Sequence, residues 1–550
     1  MKFKGIATEI IYHDFNQEKP ETDPEKLYAN LADAESLNSA LYKISAKYQS
    51  PVSEIVFAWD WDCSNVDALV TEIEESQKVL CGGLLAIAQT MIKDQSLSSA
   101  GLSIIVPETF RVTDNQKVLS FMSSSIIGLV NVLNLEHPEL SCKVIDTDQD
   151  TTLNNLLKEI LLKDRTSQVA YRNNIRYLAK LAKTEIIVPN TLCNLSQEST
   201  YVVTGGTGGL GEVVVEWLIK HGAKNIILLS RSDIHKKEGH PWIEQWRKEG
   251  FRIDLMKADI SDYAQTFTAF EKIKEAYPPI KGIIHMAGAL DDGTIVQQTW
   301  NRFWKVMAPK VQGSYNLHII SKELNLDFFV LFSSAAGMLG TLGQANYAAA
   351  NSFLDGLMRY RRLNNMPALS ICWGPWNLGM AANLSEQDSS RLKTQGFDKL
   401  KRSQGLKILD RLILSQFESE IGVFSIDWQQ YKKQFNERTI PFLMKNLTNG
   451  VKLSPQPDAE NLNNTNMPVK IINPHSQEDV KDILLSEISK VLSIDKDEIG
   501  EEEPLIEIGL DSLMAVQLRN DLSKKLNKTL PITMFFDYPS LKQVLNFLSK

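Results

Sequence analysis

Residues 202–218 read VVTGGTGGLGEVVVEWL, which is an apolar run, a glycine-rich turn and a second apolar run. Thr204 and Gly205 close a predicted strand, and Gly209 and Gly211 open a predicted helix. Glycines let the backbone turn tightly and approach a pyrophosphate, whose charge the amides at the start of the helix attract. A tight strand–helix turn would explain a glycine pattern on its own, but the strand before it and the helix after it favour a nucleotide site.

The next predicted strand, NIILLSRS at residues 225–232, indicates which nucleotide binds. Arg231 follows Gly211 by twenty residues, where an NAD-binding protein carries an acidic residue on the ribose. A positive residue at this place suits a 2′-phosphate and therefore NADPH, although a solvated arginine at a strand end is the alternative. Asp259, at the end of the strand FRIDLMKAD, is expected near the adenine, and a plain turn-forming aspartate explains it nearly as well.

The chain of 550 residues is too long for one hydrophobic core, so several domains are expected. Residues 1–195 alternate apolar strands with helical stretches, and no glycine-rich turn follows these strands, which predicts a sheet domain without a nucleotide site. Residues 196–445 repeat strand–helix units and predict a doubly wound parallel sheet. Helical segments in residues 475–550 predict a small helical bundle. The expected fold class is therefore α/β, with two Rossmann-like halves followed by an all-α bundle.

Composition and charge exclude several functional classes. The net charge of −8 comes without a basic stripe, so nucleic acid is not expected as a partner. No run reaches the eighteen apolar residues of a membrane span, and the N-terminal residues lack the apolar core of a signal peptide. The five cysteines are scattered without a CxxC pair, so neither a metal site nor a disulfide framework is expected, and a cytoplasmic location fits.

The stretch FSSAAGMLGTLGQANYAAAN at residues 332–351 carries residue types that suit ketone reduction. Such a reaction needs a hydride on carbon and a proton on oxygen. Tyr347 could supply the proton, and a nearby ammonium would lower its pKa from the usual value of about 10. Ser334 could donate a hydrogen bond to the carbonyl oxygen as negative charge develops there. Asn351 lies one helical turn after Tyr347, on the same face.

Three more segments accompany this stretch: HMAGALDDG, MAPKVQGSYNLH and WGPWNLGM, at residues 285–293, 307–318 and 373–380. With the glycine turn, and in this order, they resemble the ketoreductase domains of modular polyketide synthases, which belong to the short-chain dehydrogenase/reductase superfamily. In those ketoreductases the lysine comes from an earlier helix and an asparagine follows the tyrosine. The resemblance therefore implies this catalytic set: Lys310, Ser334, Tyr347 and Asn351.

The resemblance covers nearly the whole chain and extends to the cofactor. It implies that residues 1–195 are a catalytically silent structural half and that residues 196–445 are the catalytic half. Read alone, Lys310 would be a solvated surface lysine, and Ser333 and Ser334 a strand-end turn. The residues predicted to bind NADPH are Thr204, Gly205, Thr207, Gly209, Leu210, Gly211, Arg231, Ser232, Asp259, Ile260, Ala287 and Gly288.

The stereochemistry of the product is predicted from the loop LDD, which is Leu290, Asp291 and Asp292. This loop resembles that of B-type ketoreductases, which form a D-configured β-hydroxyacyl chain. Leu339 stands where A-type enzymes carry a tryptophan, and Asn346 fits the B-type pattern. Leu342 departs from that pattern, in which a proline is common. The alternative is that the two aspartates simply form an acidic turn.

Two polar segments are predicted to lie outside the packed cores. Residues 446–474 are rich in Asn and Pro, which predicts a flexible linker, because a structureless loop of this length is rare within a compact domain. An ordered surface loop is the alternative. Residues 381–405 lie where short-chain reductases place a lid over the substrate, and an ordinary solvated helix is the competing interpretation.

The segment LIEIGLDSLMAVQLRN at residues 505–520 places Ser512 after an aspartate at the start of a predicted helix. It resembles the attachment motif for 4′-phosphopantetheine in acyl carrier proteins, although a D-S-L triplet is also a common helix N-cap. Residues 476–550 carry 14 acidic and 9 basic side chains, a net charge of −5, and an acidic face could dock on basic partners.

The resemblance implies NADPH-dependent reduction of a β-ketoacyl thioester held on the chain's own carrier at Ser512. The implied partners are a phosphopantetheinyl transferase and the ketosynthase and acyltransferase domains of an assembly line. An α-ketoacyl reductase of a peptide or depsipeptide assembly line is one alternative, against which Asp511 argues because such carriers tend to have histidine there. A carrier module with a redox-silent scaffold is the other alternative.

Overall fold

The computed structural model describes residues 10–13, 27–29, 34–48, 51–58, 72–97, 100–114, 116, 119–164, 166–185, 194–231, 240–379, 389, 392–413, 417, 419–433, 441–448, 477–492, 494–526, 528, 530–531 and 534–548. They form two compact units, of which the first comprises residues 1–427 and 441–443 and the second residues 428–440 and 444–550. Ser232, much of the predicted lid and the predicted linker from residue 449 onward lie outside the described residues.

The first unit begins with strands β1 (Ile11–His13) and β2 (Leu27–Ala29), which pair in parallel. A five-stranded sheet follows in chain order: β3 (Glu54–Ala58), β4 (Gly101–Pro107), β5 (Lys143–Thr147), β6 (Gln168–Arg172) and β7 (Ile175–Leu178). Its helices are α1 (Ala34–Tyr48), α2 (Ile73–Gln77), α3 (Gly83–Lys93), α4 (Ser124–Glu136) and α5 (Leu153–Leu161). Because the order of these strands never reverses, this sheet offers no switch point of the kind at which doubly wound sheets bind nucleotides.

The second sheet of the unit has seven parallel strands in the order β10-β9-β8-β11-β12-β13-β15. They are β8 (Thr200–Thr204), β9 (Asn225–Ser230), β10 (Arg252–Lys257), β11 (Ile280–His285), β12 (Phe328–Ser334), β13 (Leu369–Trp373) and β15 (Ile421–Val423), while β14 (Phe397–Asp398) and β16 (Ser425–Ile426) form a separate pair. The strand order reverses between β8 and β11, and this reversal defines the crevice in which such sheets bind ligands.

Helices cover both faces of the second sheet: α6 (Gly211–Lys220), α7 (Pro241–Lys248), α8 (Tyr263–Ala276), α9 (Trp300–Met307), α10 (Val311–Ser321), α11 (Ala335–Leu339), α12 (Ala345–Leu363) and α13 (Arg402–Leu412). Strand β8 illustrates how this arrangement buries side chains on both faces of the sheet. Tyr201 and Val203 belong to one apolar cluster, whereas Val202 belongs to the cluster on the opposite face. Both faces are therefore buried, which explains the continuous apolar strands of the sequence.

Helices α4 and α12 bring the two sheets together. A Cβ atom at Gly128 would lie 2.2 Å from the carbonyl oxygen of Ala348, so only glycine permits the crossing at this distance. Phe121, just before α4, packs edge-on against Phe353 with ring centroids 5.5 Å apart. Through α4, the half that contains the first sheet thus supports the helix on which Tyr347 lies.

The second unit contains α14 (Trp428–Lys432), α15 (Lys445–Thr448), α16 (Gln477–Leu492), α17 (Ser512–Leu526), α18 (Met534–Asp537) and α19 (Leu541–Leu548). Leu484, Leu518 and Leu541 are among the fully buried residues of its own apolar core. The expected fold class, α/β sheets followed by a helical bundle, is confirmed. The predicted domain boundaries at 195, 445 and 474 stay predictions. None of the described helices is long and apolar enough to cross a bilayer.

Candidate active site

The glycine turn lies at the strand reversal of the second sheet. Thr204 ends β8, and the Gly205 amide donates to the carbonyl of Leu229 at 3.0 Å. Gly211 begins α6, where an added Cβ would lie 1.7 Å from the carbonyl oxygen of Gly206, so the turn can close this tightly only with glycine. Of the predicted cofactor residues, Thr207, Gly209 and Leu210 also lie in this turn.

The other predicted cofactor residues follow neighbouring strand ends. Arg231 comes directly after β9 and is exposed. Asp259 and Ile260 follow β10, and Oδ1 of Asp259 accepts a 2.6 Å hydrogen bond from the Ser261 hydroxyl, so this side chain does stabilise a turn. Ala287 and Gly288 follow β11, across the reversal from Gly205. Their binding of a nucleotide stays a prediction.

The predicted serine, tyrosine and asparagine converge at the carboxyl end of β12. Ser334 is the last residue of this strand and caps α11, its Oγ accepting from the Ala336 amide at 3.2 Å. Tyr347 lies in the first turn of α12 and is half-buried. The Asn351 side-chain amide donates to the Tyr347 carbonyl at 2.7 Å, one turn later on the same helix. Ser334 and Asn351 both lie close enough to the phenol to influence its pKa.

Lys310 completes this group from another element. It occupies the N-cap position of α10 and is only 3% exposed. Its Nζ donates to the carbonyl of Phe332 at 2.8 Å and lies 5.6 Å from the ring centre of Tyr347. The alternative that Lys310 is a solvated surface lysine is therefore wrong.

Burial sets the electrostatics of the group. It lowers the pKa of Lys310 to about 8, while the charge of Asp355 favours the ammonium. It also raises the pKa of Tyr347 above 10.0, against the opposing hydrogen bonds of Ser334 and Asn351. The pKa of Tyr347 was expected to fall because of a nearby ammonium, and this expectation is wrong. The pKa rises because desolvation of the phenolate is the larger effect. Tyr347 thus keeps its proton at neutral pH.

The loop after β11 lies beside the same helix. Leu290 is 36% exposed, whereas Asp291 pairs with Arg302 at 2.7 Å and with Lys305 at 2.9 Å. The Lys305 and Arg302 hydrogen bonds hold the pKa of Asp291 below its usual value. Asp292 Oδ2 accepts a 2.9 Å hydrogen bond from the side chain of Gln344, and Gln344 precedes Tyr347 by three residues. The loop is therefore an ion-paired structure that is hydrogen-bonded to Gln344, the residue just before α12.

The loop also has a direct link to Asn346, the neighbour of Tyr347. Asn346 Nδ2 donates to the Asp291 carbonyl at 2.9 Å, and its Oδ1 accepts from the Tyr347 amide at 2.8 Å. The side chain of one fully buried residue thus connects the loop backbone with the backbone of the tyrosine. A change in the position of the LDD loop would therefore act on the backbone of Tyr347 through Asn346.

The second candidate site belongs to the helical unit. Ser512 is the first residue of α17, and Asp511 Oδ1 accepts a hydrogen bond from the Met514 amide at 2.7 Å. Asp511 is therefore the helix cap, which satisfies one of the free amides of the first turn.

Comparison with known proteins places both sites in known families. Residues 199–378 match the KR domain family, and residues 482–548 match the phosphopantetheine attachment site family. Polyketide synthase GfsB of Streptomyces halstedii is 28% identical over 512 residues, which cover 91% of this chain and 9% of that protein. The chain is a ketoreductase–acyl carrier didomain of the modular polyketide synthase type. The predicted family is confirmed.

The didomain resembles further proteins of this type. Mycoketide-CoA synthase of Mycobacterium tuberculosis is 30% identical over 388 residues, which cover 68% of the didomain and 9% of that protein. A solved A-type ketoreductase from a modular polyketide synthase is 24% identical, with a TM-score of 0.67 and coverage of 78% of the didomain and 89% of that chain. This structural similarity shows the fold alone. The didomain spans only a small part, 9%, of the length of either synthase.

Two buried carboxylates near the site were not predicted from the sequence. Asp355 lies one turn after Asn351 on α12, accepts a hydrogen bond from Ser370 at 2.6 Å and contacts Cys372 Sγ at 3.4 Å. Burial raises its pKa, and the charge of Glu420 adds to the rise. The spacing from Asn351 is a signal that could have identified it. The other carboxylate, Glu136, comes from the first sheet and has no such signal.

Proposed function

We propose that the didomain reduces a β-ketoacyl thioester to a β-hydroxyacyl thioester with NADPH, while the acyl chain is attached through 4′-phosphopantetheine to Ser512. One observation carries the proposal. Lys310, Ser334, Tyr347 and Asn351 come from three elements and gather at the carboxyl end of β12, in the sheet whose strand reversal holds the glycine turn. A redox-silent scaffold would not require a buried lysine beside a tyrosine.

The residues at the strand reversal fit a dinucleotide. The tight contact of Gly211 with Gly206 lets the chain turn directly from β8 into α6, and the N-terminus of a helix suits a pyrophosphate. Arg231, exposed after β9, suits a 2′-phosphate and thus NADPH. When bound, NADPH supplies the hydride. Binding by this chain further involves Thr204, Gly205, Thr207, Gly209, Leu210, Asp259, Ile260, Ala287, Gly288 and, outside the described residues, Ser232.

The protein's own groups manage the proton and the developing charge. Ser334 donates a hydrogen bond to the ketone oxygen, which becomes more negative as carbon is reduced. Tyr347 holds a proton at neutral pH and transfers it to this oxygen as general acid. Lys310 as ammonium then stabilises the phenolate that is left. Asn351 fixes the first turn of α12 through the Tyr347 carbonyl.

The proposal extends to the stereochemistry of the product and to the partners of the didomain. The Leu290, Asp291 and Asp292 loop and Asn346 support a B-type enzyme that forms the D-configured hydroxyl. A phosphopantetheinyl transferase loads Ser512, and ketosynthase and acyltransferase domains of the same assembly line extend the chain. The proposed location is the cytoplasm, which the scattered cysteines fit.

The test is NADPH oxidation by the full chain with acetoacetyl-N-acetylcysteamine, followed by chiral analysis of the hydroxybutyryl product. We expect ketone-dependent oxidation, a D-configured product and a clear preference for NADPH over NADH. Arg231→Ala should raise the KM for NADPH by about 10-fold or more, because a charge-assisted contact to phosphate is lost, and leave the KM for NADH unchanged. An L-product would refute the B-type assignment only, whereas no oxidation with either nucleotide would refute the reductase.

The pH dependence provides an independent check. Because burial lowers the pKa of Lys310 to about 8, its ammonium disappears as the pH rises through that value. We expect turnover at saturating substrates to fall above pH 8, by about 10-fold per pH unit. In Lys310→Arg the guanidinium stays charged, so the residual activity should not show this fall. A wild-type profile that stays flat well above pH 8 would contradict the role of Lys310.

A further inference from the structure

Glu136 is the last residue of α4 in the cofactor-free half, and its side chain is 0% exposed. Its two carboxylate oxygens reach into the catalytic half. Oε2 accepts a hydrogen bond from the amide of Ile295 at 2.8 Å, and Oε1 accepts one from the amide of Gly343 at 2.8 Å. One buried carboxylate therefore holds two separate backbone segments, 159 and 207 residues away in the chain.

The two segments flank the place where the ketone is reduced. Ile295 follows Asp292 by three residues, and Gly343 precedes Tyr347 by four. The Gly293 amide donates to the Gly343 carbonyl at 2.7 Å, so the stereocontrol loop and the segment before the catalytic helix also touch directly. Glu136 thus binds the backbone on both sides of this contact, while Asn346 links the same loop to the backbone of Tyr347.

The stability of α4 does not explain a glutamate at this position. The C-terminal end of a helix carries partial negative charge, which disfavours a carboxylate there. Burial adds the cost of removing the charge from water, which only specific hydrogen bonds offset. The amides of Ile295 and Gly343 supply such bonds, and bonds to a charged acceptor are about twice as strong as neutral ones.

Other side chains of the same half contact the same region. Gln89 Nε2 donates to the carbonyls of Ile295 and Gln298, each at 2.8 Å. Asn131 Nδ2 donates to the Gly337 carbonyl at 2.9 Å, in α11 behind Ser334. The cofactor-free half therefore binds the backbone of the reaction loops through several side chains, and Glu136 joins two of these loops through one group.

We propose that Glu136 is a positioning residue that fixes the spacing between the stereocontrol loop and Tyr347, and with it the face of the ketone that is reduced. The proposal rests on the reductase function proposed above. A ketone held between the loop and Tyr347 presents one face only while their spacing is fixed. If the spacing relaxes, the loop no longer excludes the second orientation.

The test compares the full chain with Glu136→Gln. Glutamine keeps one acceptor oxygen, but its NH2 group cannot accept from an amide, so one of the two loops loses its partner. With acetoacetyl-N-acetylcysteamine we expect kcat to fall by about 10-fold or more, with the KM for NADPH nearly unchanged. The share of the minor enantiomer should rise by roughly 5-fold, since selection between the two faces depends on small differences. Glu136→Asp, which keeps the charge, should give intermediate values.

The matched control is Glu159→Gln. Glu159 is also buried in the cofactor-free half, but it pairs with Lys143 and Arg176 instead of the reaction loops. Its replacement should lower the melting temperature and leave the enantiomer ratio as in the wild type. An unchanged ratio in Glu136→Gln, or an equal change in both variants, would overturn the proposal, because either result would mean general loosening.

Hydrogen exchange separates this proposal from the proposed function, because it needs no turnover. In Glu136→Gln the peptides covering residues 291–298 and 341–346 should exchange faster than in the wild type, and those of the first sheet should not. Faster exchange in an enzyme without reductase activity would support the positioning contact and refute the function. Unchanged exchange in both peptides would refute the contact. If Glu136→Gln does not fold, Glu136→Asp serves for both measurements.

Discussion

Tyr347→Phe should lower ketone-dependent NADPH oxidation by about 10³-fold, because the substitution removes the only atom of the side chain that can donate a proton. The ring stays, so the packing of the half-buried side chain against its neighbours is largely kept. The measurement is the decrease of NADPH absorbance at saturating acetoacetyl-N-acetylcysteamine. Binding of NADPH, followed by its fluorescence, should remain close to that of the wild type.

The matched control for this result is Tyr360→Phe on the same helix. The ring of Tyr360 packs against Phe121 at a centroid distance of 4.9 Å, so this substitution tests whether any hydroxyl lost from α12 impairs the enzyme. Its activity should stay within about 3-fold of the wild type, as expected for a change away from the reacting atoms. If Tyr347→Phe kept a tenth or more of the wild-type rate, another group would have to donate the proton.

The parts of the molecule that could be predicted from sequence are those encoded in short stretches. The turn from Thr204 to Gly211 contains its strand, its glycines and its helix start within a few residues, so local geometry is enough to predict it. The start of α17 at Ser512 is predictable for the same reason, since Asp511 and Ser512 carry a local helix-start pattern. The resemblance to ketoreductases supplied the partnership of Lys310 with Tyr347, which no local pattern contains.

The parts that could not be predicted depend on contacts across long distances in the chain. To predict the role of Glu136, one would have to know that the end of α4 lies beside the amides of Ile295 and Gly343. A single glutamate in a helix does not reveal this. The pKa of Tyr347 was expected to fall because the resemblance to ketoreductases places the charge of Lys310 beside it. It rises instead, because burial depends on the packing of the entire region.

Ser512→Ala should abolish loading of the didomain, because we propose that the phosphopantetheine arm is attached to the hydroxyl oxygen of Ser512. After incubation with a phosphopantetheinyl transferase and coenzyme A, intact mass spectrometry should show one added arm on the wild type and none on the variant. Folding should not change, since Asp511 caps α17 through the Met514 amide. Far-UV circular dichroism of the variant should therefore match that of the wild type.

Ser523→Ala is the matched control, because Ser523 lies on the same helix and its replacement should leave loading complete. The comparison also tests how the two domains of the didomain cooperate. If the proposed function is right, a β-ketoacyl group transferred onto the arm of the wild type should be reduced in an intramolecular step, with a rate that does not depend on protein concentration. The Ser512→Ala variant cannot carry this group, so reduction of the tethered chain should fall to background. An added arm on Ser512→Ala would place the attachment on another residue and refute the carrier assignment of Ser512.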